Sequence, residues 1–286
     1  MKILITGVNG LVGNSLYRLL KTSDHKLFLS SRKIDGLAKY KVDIANKEEV
    51  DSFFKYEKPD VVINSAAMAN VDLCETEQEL CWKVNVGGVQ NLVDACQRHS
   101  THLTHISTDY IFDGKKESGI YNEEDIPNPQ GYYAKSKFEG EEVITKSQIS
   151  YSILRTILVY GSHKNANIVT FVKNSLEKNK TVNLVSDQVR MPTFVDDLSR
   201  ACVNASEKKA KGIFHICGPE QMSYLDIGNR IAEHFSLDKH LINHVKTLDL
   251  NQKAERPYKT GFDLKKASHD LDYKPTKFED SLDIIF

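Results

Sequence analysis

The sequence predicts an α/β fold, a doubly wound parallel sheet joined to a smaller, discontinuous second domain. Three observations lead there. Short apolar, β-branched runs alternate with amphipathic stretches through the first half of the 286-residue chain. The first run, Lys2-Ile3-Leu4-Ile5-Thr6, opens directly into a turn that carries Gly7, Gly10 and Gly13. Further on, Tyr133 and Lys137 stand four apart in a segment rich in Ala, Lys and Glu, which puts them on one helix face.

Composition narrows the function. The apolar share is 40% and the charged share 27%, the balance of a globular protein with ample core. A net charge of −1 without a basic stripe or acidic tail argues against nucleic acid and anionic membrane as partners. The five cysteines, Cys74, Cys81, Cys96, Cys202 and Cys217, are odd in number and lack Cys-x-x-Cys spacing. They are expected to be buried free thiols in a reducing compartment, with no zinc site and no other metal constellation. Met1 runs straight into a strand without a signal peptide, and no apolar run approaches membrane-spanning length, so a cytoplasmic location is expected.

The glycine turn is the first element with a chemical reading. Gly7, Asn9, Gly10, Leu11, Val12 and Gly13 form a loop whose glycines permit a tight turn, close approach of backbone to a pyrophosphate, and close packing of helix on strand. The helix that follows, through Leu16, Leu19 and Leu20, adds amide donors and the positive end of its dipole. This is the Rossmann-type dinucleotide signature. The second strand, Lys26-Leu27-Phe28-Leu29, ends in Ser30-Ser31-Arg32-Lys33, where an acid would bind an adenosine ribose hydroxyl. Ser31, Arg32 and Lys33 suit a 2′-phosphate instead, so NADP(H) is the expected cofactor, with NAD(H) permitted. Asp35, the nearest acid, is expected in the loop.

Val42-Asp43-Ile44 reads as a third strand end, with Asp43 and Ile44 at the adenine, and Asn46 with Glu49 as a helix start. Asp60-Val61-Val62-Ile63-Asn64 is the fourth strand; Ala66 and Ala67 after it are small enough to pass beneath the cofactor. One helix from about Glu75 to His99 is expected to turn Leu80, Val84, Leu92 and Val93 inward, with Trp82 in packing. Asn85 within it is either a satisfied core amide or the holder of an active-site water. The fifth strand, Leu103-Thr104-His105-Ile106, delivers Thr108 to the carboxyl edge of the sheet, where ligands gather. Pro127 and Pro129 mark the loop into the Tyr133 helix, and Ser152-Ile153-Leu154-Arg155-Thr156 is the sixth strand.

Beyond Gly161 the strand–helix rhythm loosens into a helix near Ile168–Lys178 and a strand at Val182–Val185. Gly212 to Gly218 reads as a seventh sheet strand, Ser223 with Asp226 as a further helix start, and Asp263 as the cap of another. These breaks divide the chain into a cofactor domain, residues 1–156 and about 193–220, and a substrate domain, about 157–192 and 221–286.

Several blocks together resemble the extended short-chain dehydrogenase/reductases, and within them the dTDP-4-dehydrorhamnose reductases. They are Thr6-Gly7-x-x-Gly10-x-x-Gly13, Ser107-Thr108-Asp109-Tyr110-Ile111-Phe112-Asp113-Gly114, Tyr133-x-x-x-Lys137, Arg155-Thr156 with Val159-Tyr160-Gly161, Asp187-Gln188, Pro192-Thr193 and Arg256-Pro257. The resemblance implies NADPH-dependent reduction of the C4 ketone of a nucleotide-linked 4-dehydro-6-deoxy sugar, with Thr108, Tyr133 and Lys137 as the catalytic trio. Tyr133 would donate the proton, while Lys137 would hold the nicotinamide ribose and depress the phenol pKa. Thr108, Asp109, Arg190 and Arg256 would face the substrate, and a homodimer is allowed. Two positions depart from the pattern: Leu158 replaces a tryptophan, and Arg190 replaces a glycine. Arg190 is expected to grip the nucleotide-sugar diphosphate, with a solvated loop arginine as the alternative. Two other readings stand beside this one. One is a nucleotide-sugar epimerase; the other is a cofactor-binding regulatory subunit resembling the methionine adenosyltransferase beta subunit. Asp109 is followed by Tyr110 rather than Glu, which counts against a dehydratase.

Overall fold

Alternation along the first strand decides what the sheet packs against. In the computed structural model, which describes residues 1–163 and 167–286, Ile3 and Ile5 face one side of the sheet and Leu4 the other. All three are wholly buried, as expected of a strand covered on both faces. The sheet has seven strands: β1 (Lys2–Thr6), β2 (Lys26–Ser31), β3 (Tyr40–Lys41), β4 (Val61–Asn64), β5 (His102–Thr108), β6 (Tyr151–Thr156) and β7 (Gly212–Ile216). Their spatial order is β7-β6-β5-β4-β1-β2-β3, and every neighbouring pair is parallel. From β1 the chain first winds one way to β2 and β3, then returns to β4 on the other side. That reversal opens a crevice at the carboxyl ends of β1 and β4.

One face is covered by α1 (Leu11–Leu20) and, from later in the chain, the helix Val195–Lys208, through Leu16, Leu20, Leu198 and Cys202. The other is covered by α2 (Lys47–Glu57) and, further on, Gly88–His99, through Phe53, Phe54, Leu92 and Val93. A separate apolar cluster joins Tyr160, Val169, Leu184, Ile227 and Phe278. It gathers the helices Ile168–Glu177 and Tyr224–His234 around the parallel pair Val182–Val185 and Ile242–Val245. Ser223 and Asp226 form a reciprocal cap at the start of the second of these helices. All five cysteines are free and buried. Among the described residues no helix is long and apolar enough to cross a membrane.

Two local expectations are corrected. The third strand is Tyr40–Lys41 and stops just before Val42-Asp43-Ile44, where Val42 N still donates to Ser31 O at 3.0 Å and Val42 and Ile44 are buried. The single helix from Glu75 to His99 is four pieces: α3 (Val71–Thr76), α4 (Gln78–Trp82), a π-helical turn (Lys83–Gly87) and α5 (Gly88–His99). Glu77 leaves helical geometry at φ −111°, ψ 54°, which separates α3 from α4. The added residue of the π turn then shifts the helical phase. Leu80 is 44% exposed instead of inward, and Trp82, also exposed, lies against the ring of Tyr132.

Candidate active site

The glycine loop opens a cavity of about 980 Å³ along the carboxyl ends of the central strands. Gly7, Asn9, Gly10, Leu11, Val12 and Gly13 line one part of it, and Ser31, Arg32, Asp43 and Ile44 another. Ala66 and Ala67 lie between these and Thr108, Asp109, Tyr133 and Lys137. Two glycines are required by space. Gly7 has φ +66°, and a Cβ there would sit 3.0 Å from Ala66 Cα. A Cβ on Gly13 would come within 2.4 Å of the Gly7 carbonyl oxygen, so α1 could not start where it does. Asp35, expected only as a loop residue, is tied to this turn, because Asn9 Nδ2 donates to its carboxylate at 2.5 Å and its carbonyl at 3.0 Å.

Thr108 closes β5. Its hydroxyl accepts from Tyr110 N at 3.2 Å and donates to Asp109 Oδ1 at 3.3 Å. Tyr133 lies in the first turn of α6 (Tyr132–Thr145), whose start is fixed by Tyr132 N donating to Glu75 Oε1 at 2.6 Å. The Tyr110 ring meets the Tyr133 ring edge-on, centroids 5.7 Å apart. One turn on, Lys137 is only 3% exposed; its Nζ donates to the Ile106 carbonyl at 2.7 Å and meets His105 Nε2 at 3.1 Å. Glu141, a further turn along, is held in a buried ion pair by Arg155 at 2.7 Å.

Burial pushes the Tyr133 phenol up from its ordinary pKa, with the Thr108 hydroxyl pulling the other way. Burial also brings Lys137 down to about 8, opposed by Glu141 and Cys81. The expectation that Lys137 depresses the phenol is therefore corrected. Desolvation governs both groups, and the amine is directed at His105 and the Ile106 carbonyl. A protonated phenol, a hydroxyl and an amine around one cavity can together deliver a proton to a carbonyl oxygen.

Asn85 resolves toward the satisfied amide. Its Oδ1 accepts from Met68 N at 2.9 Å, and its Nδ2 donates to Met68 O and Ser136 Oγ, both at 3.0 Å. It ties the cavity wall at Met68 to the Tyr133 helix. Leu158, in place of the family tryptophan, lies on the cavity wall at φ +40°, a strained conformation for a leucine.

The two arginines are not on the cavity wall. Arg190 is neither a diphosphate grip nor a solvated loop residue, because it is wholly buried. Its guanidinium donates to the carbonyls of Val189 at 2.8 Å, Tyr258 at 3.3 Å and Pro257 at 2.6 Å. Arg256 pairs with Asp72 at 2.8 Å and donates to Ala254 O at 2.9 Å, fastening the 254–258 loop to α3. Sequence reasoning passed over Met68, Leu73, Leu80 and Tyr110 on the cavity wall, and Asn64 and His105 behind it. Asn64 carried a signal, as the polar residue that closes an otherwise apolar strand, whereas His105 lies among further polar residues of β5, His102, Thr104 and Ser107.

The family described as "RmlD substrate binding domain" matches residues 1–286. A dTDP-4-dehydrorhamnose reductase from Aggregatibacter actinomycetemcomitans is 34% identical over 293 residues, covering 98% of this chain and 97% of that protein. The methionine adenosyltransferase 2 subunit beta of Rattus norvegicus is 32% identical over 247 residues, 82% of this chain and 72% of that protein. The crystal structure of dTDP-4-dehydrorhamnose reductase from Bacillus anthracis in complex with NADP superposes with a TM-score of 0.91 at 27% identity, covering 100% of this chain and 99% of that one.

Proposed function

The chain belongs to the RmlD substrate binding domain family, and from that premise we propose that it is an NADPH-dependent oxidoreductase of the dTDP-4-dehydrorhamnose reductase type. It reduces the C4 ketone of a nucleotide-linked 4-dehydro-6-deoxy sugar. One observation carries the reading: Thr108, Tyr133 and Lys137 share a cavity with the glycine loop.

The residues present fit a dinucleotide. Side chains are excluded at Gly7 and Gly13, which leaves backbone and the α1 N-terminus open to a pyrophosphate. Ser31 and Arg32, at the end of β2 where an acid would bind a ribose hydroxyl, would hold a 2′-phosphate; Asp43 and Ile44 would flank the adenine, and Lys137 the nicotinamide ribose. NADPH, when bound, supplies the hydride. Thr108 would hold the ketone oxygen by its hydroxyl, turned from Asp109 Oδ1 to the substrate. Tyr133, kept protonated by its raised pKa, donates its phenolic proton to that oxygen as negative charge develops there. Asp109 and Tyr110 shape the wall at that end.

The division into a cofactor part (1–156, about 193–220) and a substrate part (about 157–192, 221–286) belongs to the same reading, supported by the separate cluster around Tyr160, Leu184, Ile227 and Phe278. A cytoplasmic homodimer is compatible with it, and light scattering reports the dimer directly.

The test follows NADPH oxidation by absorbance against a panel of nucleotide 4-keto sugars. Net oxidation with a dTDP-linked 4-dehydro sugar is the expected result; an epimerase would leave NADPH unconsumed. The beta-subunit relative supports a second reading as a regulatory subunit. Absence of turnover across the panel, together with stoichiometric capture of a methionine adenosyltransferase catalytic chain, would establish that reading instead.

A further inference from the structure

The sheet register sets three polar residues side by side behind the cavity. Thr6 on β1 pairs with Asn64 on β4, and Asn64 pairs with His105 on β5. Paired residues on adjacent strands share a face, so their side chains meet. Thr6 Oγ1 donates to Asn64 Oδ1 at 2.6 Å, Asn64 Nδ2 lies 3.0 Å from His105 Nδ1, and His105 Nε2 lies 3.1 Å from Lys137 Nζ. Thr6, Asn64, His105 and Lys137 are each at most 3% exposed.

The chain has a direction. The backbone N–H of Ala66, which can only donate, is shared between Asn64 Oδ1 at 3.3 Å and Thr6 Oγ1 at 3.4 Å, so an Asn64 NH₂ turned that way would face it donor to donor. Asn64 therefore turns its oxygen toward Thr6 and Ala66, and its NH₂ toward His105. His105 Nδ1 must then accept. Burial holds this imidazole well below its ordinary pKa, so it is neutral and its single proton sits on Nε2. That N–H points at Lys137.

The geometry points to a directed hydrogen-bond chain, Thr6–Asn64–His105, that aims an imidazole donor at the Lys137 amine and makes His105 a positioning residue for it. An ammonium has only donors to offer, so against His105 Nε2–H it leaves two donors face to face. The neutral amine satisfies every contact. Its lone pair accepts from His105, one hydrogen goes to the Ile106 carbonyl at 2.7 Å, and the other remains for the cavity. The other titratable groups around Lys137 are Glu141 and Tyr133 on its own helix, Cys81 on α4, and Arg155 on β6, which neutralises Glu141. The chain thus favours a lysine that parts readily with its proton. It deepens the proposed reductase site and rests on Lys137 acting there.

The test has two arms. In the wild-type protein labelled with ¹⁵N-histidine, the His105 signals are assigned by their loss in His105→Gln and followed from pH 6 to pH 8. The expected result is a neutral ring with the proton on Nε2; a proton on Nδ1, or a cationic ring, overturns the inference. This arm needs no substrate, so lack of turnover would sink the reductase reading and leave the tautomer result standing. In the second arm, Asn64→Asp replaces the donor facing Nδ1 by an acceptor, and Asn64→Leu removes it without adding charge. Both free Nε2 to accept from protonated Lys137, so the alkaline limb of the kcat/KM profile should move up by about one pH unit or more. Folded variants, judged by their melting transitions, with an unmoved limb would overturn the inference. Should neither fold, the wild-type tautomer decides alone.

Discussion

Arg190 and Asp109 face each other with both side chains sealed from solvent, Nε standing 3.7 Å from Oδ2. Asp109 also takes hydrogen bonds from the Thr108 and Thr260 hydroxyls. Arg190 is thus the cation behind the residue that follows Thr108, and it fixes the 257–258 loop through backbone carbonyls.

Replacing Arg190 by Ala should therefore act on stability first. Removing one member of a buried pair costs about 3–5 kcal/mol, because the other charge and several carbonyls are left uncompensated. Chemical denaturation measures it. Any loss of activity should be shared equally between a nucleotide-sugar and the corresponding free sugar. Wild-type stability with a tenfold higher Michaelis constant for the nucleotide-sugar alone would restore the diphosphate contact.

Tyr133→Phe should remove nearly all turnover while leaving NADPH affinity almost unchanged, since only the proton is lost. A variant that keeps more than about a tenth of the rate, a barrier change under ~1.4 kcal/mol, is incompatible with Tyr133 as the donor. Stopped-flow reduction and a fluorescence titration with NADPH separate the two effects.

Arg32 should set the preference between cofactors. A charge-assisted phosphate contact contributes about 1.5–3 kcal/mol, so kcat/KM with NADPH should exceed that with NADH by tenfold or more. Arg32→Ala should erase most of the difference by weakening NADPH alone. Equal efficiencies in the wild type would refute the assignment.

Lys137 should leave a mark on stability against pH. Its pKa falls from 10.5 to about 8 on folding. Below pH 8 both states hold the proton, and the buried ammonium costs on the order of 3 kcal/mol. Between the two values the unfolded chain binds a proton that the native state does not, so stability rises with pH and the cost fades. Lys137→Met lacks this dependence. Its stability relative to wild type should be greatest below pH 8 and should decline toward pH 10.5 in urea titrations.

The sheet and the cavity were legible because their determinants are local. Ile3, Leu4 and Ile5 declare a strand covered on both sides, Gly7, Gly10 and Gly13 declare the turn, and the spacing of Tyr133 and Lys137 declares a shared helix face. What stayed hidden depends on partners far away in the chain. Arg190 looks free in its own loop because, apart from the Val189 carbonyl, its partners are far along the chain, at Asp109, Pro257 and Tyr258. His105 looks like one polar residue in a strand until the register sets Asn64 beside it. The direction of the phenol pKa was misread because helix spacing gives the distance between Tyr133 and Lys137 but not how deeply each is buried.

The π turn at Lys83–Gly87 makes the site depend on residue count as well as residue type. Successive helix positions are rotated by about 100°, so one surplus residue redirects everything on the far side of it. Upstream lie Cys81 and α4; downstream, Gly88 packs so tightly on Ile44 that a Cβ would come within 2.7 Å of it. Asn85, inside the turn, spans from Met68 to Ser136. Deleting Gly87 would change no side chain that touches the cavity, yet it would return the segment to an ordinary helical repeat and swing Asn85 away from both partners. Frame within this helix, set by a single insertion, is a separate inheritance from the identities of Thr108, Tyr133 and Lys137, and a length-changing variant here should be as damaging as a substitution among them.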